Sequence, residues 1–205
     1  VDDFMASAPN FDAGGTDRGR VLVFLGSAAG LPSTTPNQVL DGDQNSAHFG
    51  ASLATIGDVN QDGYDDIAVG APAYDTGGAD RGRVYVYLGS ASGTSATPTK
   101  VLSGSQNLAR FGSSVAAVDV DGDGRKELIV GSKGFDTATR VDAGRVDIFA
   151  SFDGADQEGD GFGDDEDNCP FVYNPTQTDS DTAAGPDGTC GTHDDNAALF
   201  GANGA

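Results

Sequence analysis

Basic residues are scarce: 11 Lys and Arg stand against 32 Asp and Glu, a formal net charge of −21. Nucleic acid and anionic membranes reward clustered positive charge, so this balance argues against both and makes cations the natural counterpart. Histidine is rarer still, with His48 and His193 alone, and neither a Gly-x-Ser-x-Gly elbow nor a His-Glu-x-x-His pattern occurs. Catalysis therefore has little to work with, and no enzyme activity is expected of these residues. The two cysteines, Cys169 and Cys190, lie in the last quarter among acidic residues. They admit one disulfide in an oxidising compartment or a pair of free thiols. No apolar stretch approaches about 18 residues, so no transmembrane helix is expected, and no signal peptide opens the chain. Val1 is not a natural start, so the sequence reads as a segment of a longer protein.

What is abundant is glycine, 31 residues of 205, which points away from long helices and toward an all-β chain. The acidic residues are also patterned. In Asp58-Val59-Asn60-Gln61-Asp62-Gly63-Tyr64-Asp65-Asp66, oxygen-bearing side chains fall on positions 1, 3, 5 and 9 and a glycine follows the third. Alternation aims every second side chain inward, where carboxylate and amide oxygens can wrap a hard cation at about 2.3–2.6 Å. The Tyr64 carbonyl supplies position 7, and Gly63 allows the turn a positive φ. The alternative is an Asp/Gly-rich turn without metal. The apolar run Ile67 to Ala71 follows directly and reads as a buried strand rather than an exit helix.

The unit repeats. Phe49-Gly50 recurs as Phe111-Gly112, the acidic loop from Asp58 recurs from Asp119, and Gly82-Arg83-Val84 recurs as Gly144-Arg145-Val146. Upstream, Asp2 to Pro9 overlays Asp65 to Pro72, and Asp17 to Val21 overlays Asp80 to Val84, so the chain begins inside a truncated copy. Each complete unit offers strands at Ala51 to Ile56, Ile67 to Ala71, Arg83 to Leu88 and around Lys100 to Leu102. The third alternates Val84, Val86 and Leu88 with Tyr85 and Tyr87, and its copies are Val21 to Leu25 and Val146 to Ala150. Four short strands per repeat suggest propeller blades.

The order Phe-Gly, Asp-x-Asn-x-Asp-Gly-x-x-Asp, Gly-Ala-Pro resembles the FG-GAP repeat of the integrin α-subunit β-propeller and its bacterial relatives, over residues 1 to about 151. The resemblance implies calcium at Asp58, Asn60, Asp62, the Tyr64 carbonyl and Asp66, and again at Asp119, Asp121, Asp123, the Arg125 carbonyl and Glu127. Two departures stand out: Glu127 replaces an Asp, and Gly131-Ser132-Lys133 has lost Gly-Ala-Pro. Family members close about seven blades, so this chain is expected to hold part of a ring that begins before Val1 and ends near Ala150. The segments Asp17 to Arg20 and Asp80 to Arg83 invite an adhesion reading, but Arg-Gly-Asp does not occur. They are read as structural turns, with Gly82 bending the chain and Arg83 pairing with a carboxylate. Phe49 and Phe111 are read as packing between blades.

Beyond Ser151 the repeats stop. Asp156, Glu158, Asp160, Asp164 and Asp167 occupy EF-hand loop positions without flanking helices, the Phe162 carbonyl among them and Gly161 at the sixth. Together with Asp167-Asn168-Cys169-Pro170 and the Asn174 to Asp181 stretch, this resembles a thrombospondin type 3 repeat over residues 152–192. It implies calcium here, with Asp179, Asp181 and Asp187 as candidate ligands of a second, distorted loop, and a Cys169–Cys190 disulfide. The tail 193–205 is expected to be disordered.

The expectation is thus an all-β chain: a partial β-propeller of four-stranded antiparallel blades, then an irregular calcium-loop segment. The function expected is recognition or adhesion by a calcium-binding secreted or cell-surface bacterial protein, its blade loops presented to a protein or glycan. The alternative is a non-catalytic accessory and spacer module of a larger secreted enzyme.

Overall fold

The computed structural model describes residues 3–26, 35–60, 62–120, 122 and 124–149. All belong to one unit, Val1–Phe149. Among the described residues there is no helix, and ten strands form three antiparallel sheets. The first holds β1 (Phe4–Ala8), β2 (Arg20–Phe24) and β3 (Gln38–Asp41). The second holds β4 (Ser52–Gly57), β5 (Asp66–Ala71), β6 (Arg83–Tyr87) and β7 (Lys100–Ser103), and the third β8 (Phe111–Val118), β9 (Glu127–Ser132) and β10 (Arg145–Phe149). Each sheet is a meander in which sequence neighbours pair, as blades of a partial propeller require. Every strand expected from the repeat lies within a residue or so of its place. The segment 152–192, with Asp156, Glu158, Asp160, Phe162, Asp164, Asp167, Cys169, Asp179, Asp181, Asp187 and Cys190, lies outside the described residues, as does 193–205.

Alternation along β6 predicts one buried face, but Val84, Tyr85, Val86 and Tyr87 are all buried. The reason is position: the middle sheet has a blade against each face. β5 is buried along its whole length. β10 carries the same alternation in the last described sheet, and there Val146 and Ile148 are 64% and 56% exposed.

The joint between blades is built from the motif residues. Phe49 is buried and packs edge-on against Tyr85, ring centroids 5.4 Å apart. Its backbone N–H donates to the Arg18 carbonyl, and the Phe111 N–H donates to that of Arg81, both at 3.0 Å. Between these partners and the Phe-Gly turns sit Gly19 and Gly82 at φ +89° and +84°, where a Cβ would lie 2.1 Å from the Phe49 and Phe111 carbonyl oxygens. Only glycine fits. The neighbouring arginines brace the socket, Arg18 donating to Asn45 at 2.9 Å and Arg81 to Asn107 at 2.8 Å. Gln44 and Gln106 complete the joint by accepting the N–H of Asp75 and Asp136 in the following blade. The Asp-Arg-Gly-Arg segments are therefore the receiving half of the blade joint.

One detail of that expectation is corrected. Among the described residues Arg83 pairs with no carboxylate; it donates to the Thr76 hydroxyl at 3.0 Å and stacks on the Tyr74 ring. Its counterpart Arg20 takes the carboxylate of Asp41 through two contacts of 2.5 and 2.8 Å. Asp41 is the cross-strand partner of Arg20, whereas Ser103 holds that place opposite Arg83. Register, not local sequence, decides the pairing.

Candidate metal-binding loops

The first acidic loop links β4 to β5. Its entry is set by a bulge: the ladder shifts between Thr55 and Gly57, so Ile56 is an extra residue, and its side chain is 1% exposed. Asp58 accepts the N–H of Asp62 at 2.9 Å through one oxygen and that of Gly63 at 2.7 Å through the other. Asn60 accepts the Asp62 N–H and donates to its carboxylate, and Asp62 accepts the N–H of Tyr64 at 3.0 Å. Gly63 adopts φ +92°, as the turn demands.

Asp66 is different in kind, being fully buried. It accepts the Val59 N–H at 2.8 Å and the Gly89 N–H at 2.6 Å, so one carboxylate ties the loop to the far end of β6. Burial pushes its carboxyl up from the ordinary range, the two N–H groups oppose that, and the charges of Asp62 and Asp58 add to the rise. Added positive charge at this loop would relieve that repulsion. Gly89 carries no side-chain signal. What could have found it is its place one residue beyond the β6 alternation.

The second loop links β8 to β9 and repeats the pattern. Asp119 accepts the N–H of Gly122 at 2.6 Å and of Gly124 at 3.0 Å. Glu127, buried, accepts the Val120 N–H at 2.6 Å, as Asp66 does for Val59. The longer arm reaches the same backbone group. Asp121 and Asp123 lie outside the described residues. The loop is more open than the first, with Asp119 exposed where Asp58 is half-buried.

The donor chemistry of the first loop suits a hard cation, since Asp58, Asn60, Asp62, Asp66 and the Tyr64 carbonyl offer oxygen alone. Among the described residues no group of three or more His, Cys, Asp or Glu side chains converges as metal ligands do. The carboxylates are turned instead onto the loop's own N–H groups.

The joint between the first two sheets holds a further carboxylate, Asp43, which accepts from the Tyr85 hydroxyl at 3.0 Å and faces that of Tyr74 at 3.5 Å. Burial, with the Asp43 charge second, raises Tyr85 far above the ordinary phenol range, and Tyr87 is raised in the same way. Neither phenol ionises in the folded chain at physiological pH.

The two acidic loops fall in the two stretches of the chain that match a known repeat module. Residues 49–87 and 111–149 match the FG-GAP repeat family. The chain is 40% identical to integrin alpha-5 of Xenopus laevis over 161 residues, covering 74% of this chain and 15% of that protein. It is 42% identical to integrin alpha-V of Gallus gallus over 148 residues, 66% of this chain and 14% of the relative. It is also 37% identical to phosphatidylinositol-glycan-specific phospholipase D of Mus musculus over 156 residues, 73% of this chain and 18% of that protein. The chain thus spans less than a fifth of these relatives.

Proposed function

We propose that residues 1–151 are part of a calcium-stabilised FG-GAP propeller that recognises a protein or glycan through its blade loops, in a secreted or cell-surface protein of bacterial type. The observation that carries this reading is the duplicated loop: on successive blades, position 1 grips two N–H groups within the loop and position 9 grips the second residue. Asp58, Asn60, Asp62, the Tyr64 carbonyl and Asp66 would hold one calcium ion, and Asp119, Asp121, Asp123, the Arg125 carbonyl and Glu127 a second. The ion would supply positive charge and rigidity where carboxylates cluster. In this reading residues 152–192 form a calcium-binding stalk closed by a Cys169–Cys190 disulfide, and the chain is not catalytic. Calorimetry on the wild type and on Asp62→Ala tests the first site. Loss of one calcium equivalent in the variant supports it, and unchanged stoichiometry refutes it.

The second reading, an accessory module of a larger secreted enzyme, is favoured by the similarity to the phospholipase D over 73% of the chain. The complete reading frame separates the two: a catalytic domain upstream of Val1 decides for the accessory role.

A further inference from the structure

The strand ends remote from the acidic loops carry the opposite charge. β5 and β9 each leave an acidic loop and run six residues, about 20 Å, before reaching Pro72 and Lys133. At that far end lies a cleft of about 480 Å³ whose lining includes Pro9, His48, Pro72, Asp80, Arg110 and Lys133. Within residues 1–149, which hold the cleft, 11 Lys and Arg and one His stand against 19 acidic residues. Gathering a lysine, an arginine and a histidine at one cleft runs against that balance.

Repeat alignment shows which of these are additions. Lys133 stands where the preceding blade has Pro72, at the point where Gly-Ala-Pro becomes Gly-Ser-Lys, and Arg110 stands where the preceding joint has His48. The Lys133 side chain is exposed, while its backbone N–H, which a proline would lack, donates to the Ser113 hydroxyl at 3.3 Å. Among the described residues neither the Lys133 ammonium nor the His48 imidazole has an ion-pair or hydrogen-bond partner. Arg110 makes a single 3.2 Å contact with Asp80, which orients the guanidinium and leaves other N–H groups unused.

We propose that this cleft binds a carboxylate side chain of a polypeptide partner; the proposal rests on the recognition reading above and gives it a ligand chemistry. Lys133 supplies a point charge, Arg110 a planar donor set and His48 a further donor, while Pro9 and Pro72 offer apolar walls to the methylenes of an Asp or Glu side chain. The walls favour a peptide over a sugar acid. Among the described residues no aromatic ring lines the cleft on which a pyranose face could stack.

The test uses the full chain, saturated with calcium, and an acetylated and amidated Gly-Asp-Pro-Glu-Gly peptide observed by NMR. Saturable shifts at His48 and Lys133, absent with the Asn/Gln counterpart of the peptide, are expected. Lys133→Gln and His48→Asn, the latter keeping a residue that tolerates the positive φ of 56° at that position, should each weaken binding about threefold to tenfold. Equal binding of the two peptides, no binding, or wild-type binding by both variants overturns the proposal. So does tighter binding of an oligouronate at the same resonances. Calcium titration of the same samples reads the parent proposal separately: calcium uptake with no peptide response fails the cleft alone.

Discussion

Asp66 and Asp62 were indistinguishable as letters in a motif, and the structure separates them. Asp66→Ala would leave the Val59 and Gly89 N–H groups without acceptors in a buried setting, a cost of about 2–6 kcal/mol. Asp62 is exposed, so Asp62→Ala in calcium-free protein should change stability by less than about 1 kcal/mol. Urea denaturation of the two variants in chelator at high salt, where screening keeps the calcium-free chain folded, checks the contrast, and equal losses would contradict it. The ligand pattern was legible because alternation and glycine are local. The Gly89 partner was not, because it is brought in by the pairing of β5 with β6.

The buried Tyr85 phenol makes stability depend on pH at the alkaline end. Its folded pKa is raised, so the folded state holds its proton more tightly than the unfolded state does. The stability this represents is fully present below the ordinary value of about 10 and is lost as pH rises toward the higher folded value, at about 1.4 kcal/mol per pH unit. Alkaline denaturation followed by phenolate absorbance should show Tyr85 and Tyr87 ionising only as the chain unfolds. Tyr85→Phe should make the stability loss above about pH 10 shallower. An unchanged slope would mean that Tyr85 is not the group responsible.

Among elements, the blade joint and the entry bulge show what sequence reading reaches. The Phe-Gly turn and the Asp-Arg-Gly-Arg segment were both visible as repeated motifs, yet nothing local says that one is the socket of the other. Their contact spans 29 residues and depends on stacking of neighbouring blades. The bulge was visible only as arithmetic: Phe49 precedes Asp58 by nine residues and Phe111 precedes Asp119 by eight. The pairing assigns the extra residue to Ile56. Gly82→Ala tests the joint, since a methyl at φ +84° would meet the Phe111 carbonyl at 2.1 Å. Strain of this kind costs about 1–3 kcal/mol before the displaced turn is counted. Gly77→Ala, at φ +65° with room for a Cβ, supplies the conformational penalty alone, and thermal melts of the pair should place Gly82→Ala well below it. Coincident melts would mean that the turn simply moves aside.

At the scale of the whole molecule, packing is uneven and charge is excessive. The inner strands of the middle sheet are buried on both faces, with β5 wholly enclosed, while β1 is mostly exposed and β10 shows Val146 and Ile148 to solvent. Repeats of this kind draw stability from their neighbours, and about three are needed for a stable stack. The described region has one four-stranded sheet between two of three strands, so packing supplies a narrow margin against the carboxylates clustered in its two acidic loops. Apo loops place carboxylates in mutual repulsion, which low salt leaves unscreened. Chelation with EDTA at low salt is therefore expected to remove most of the β signal in circular dichroism, and calcium to restore it. Hydrogen exchange during a partial titration should show β1 and β10 losing protection first and β5 last, because local stability follows burial. A spectrum indifferent to chelator would mean that the Phe-Gly joints hold the blades without ions, and that the acidic loops serve some purpose other than stability.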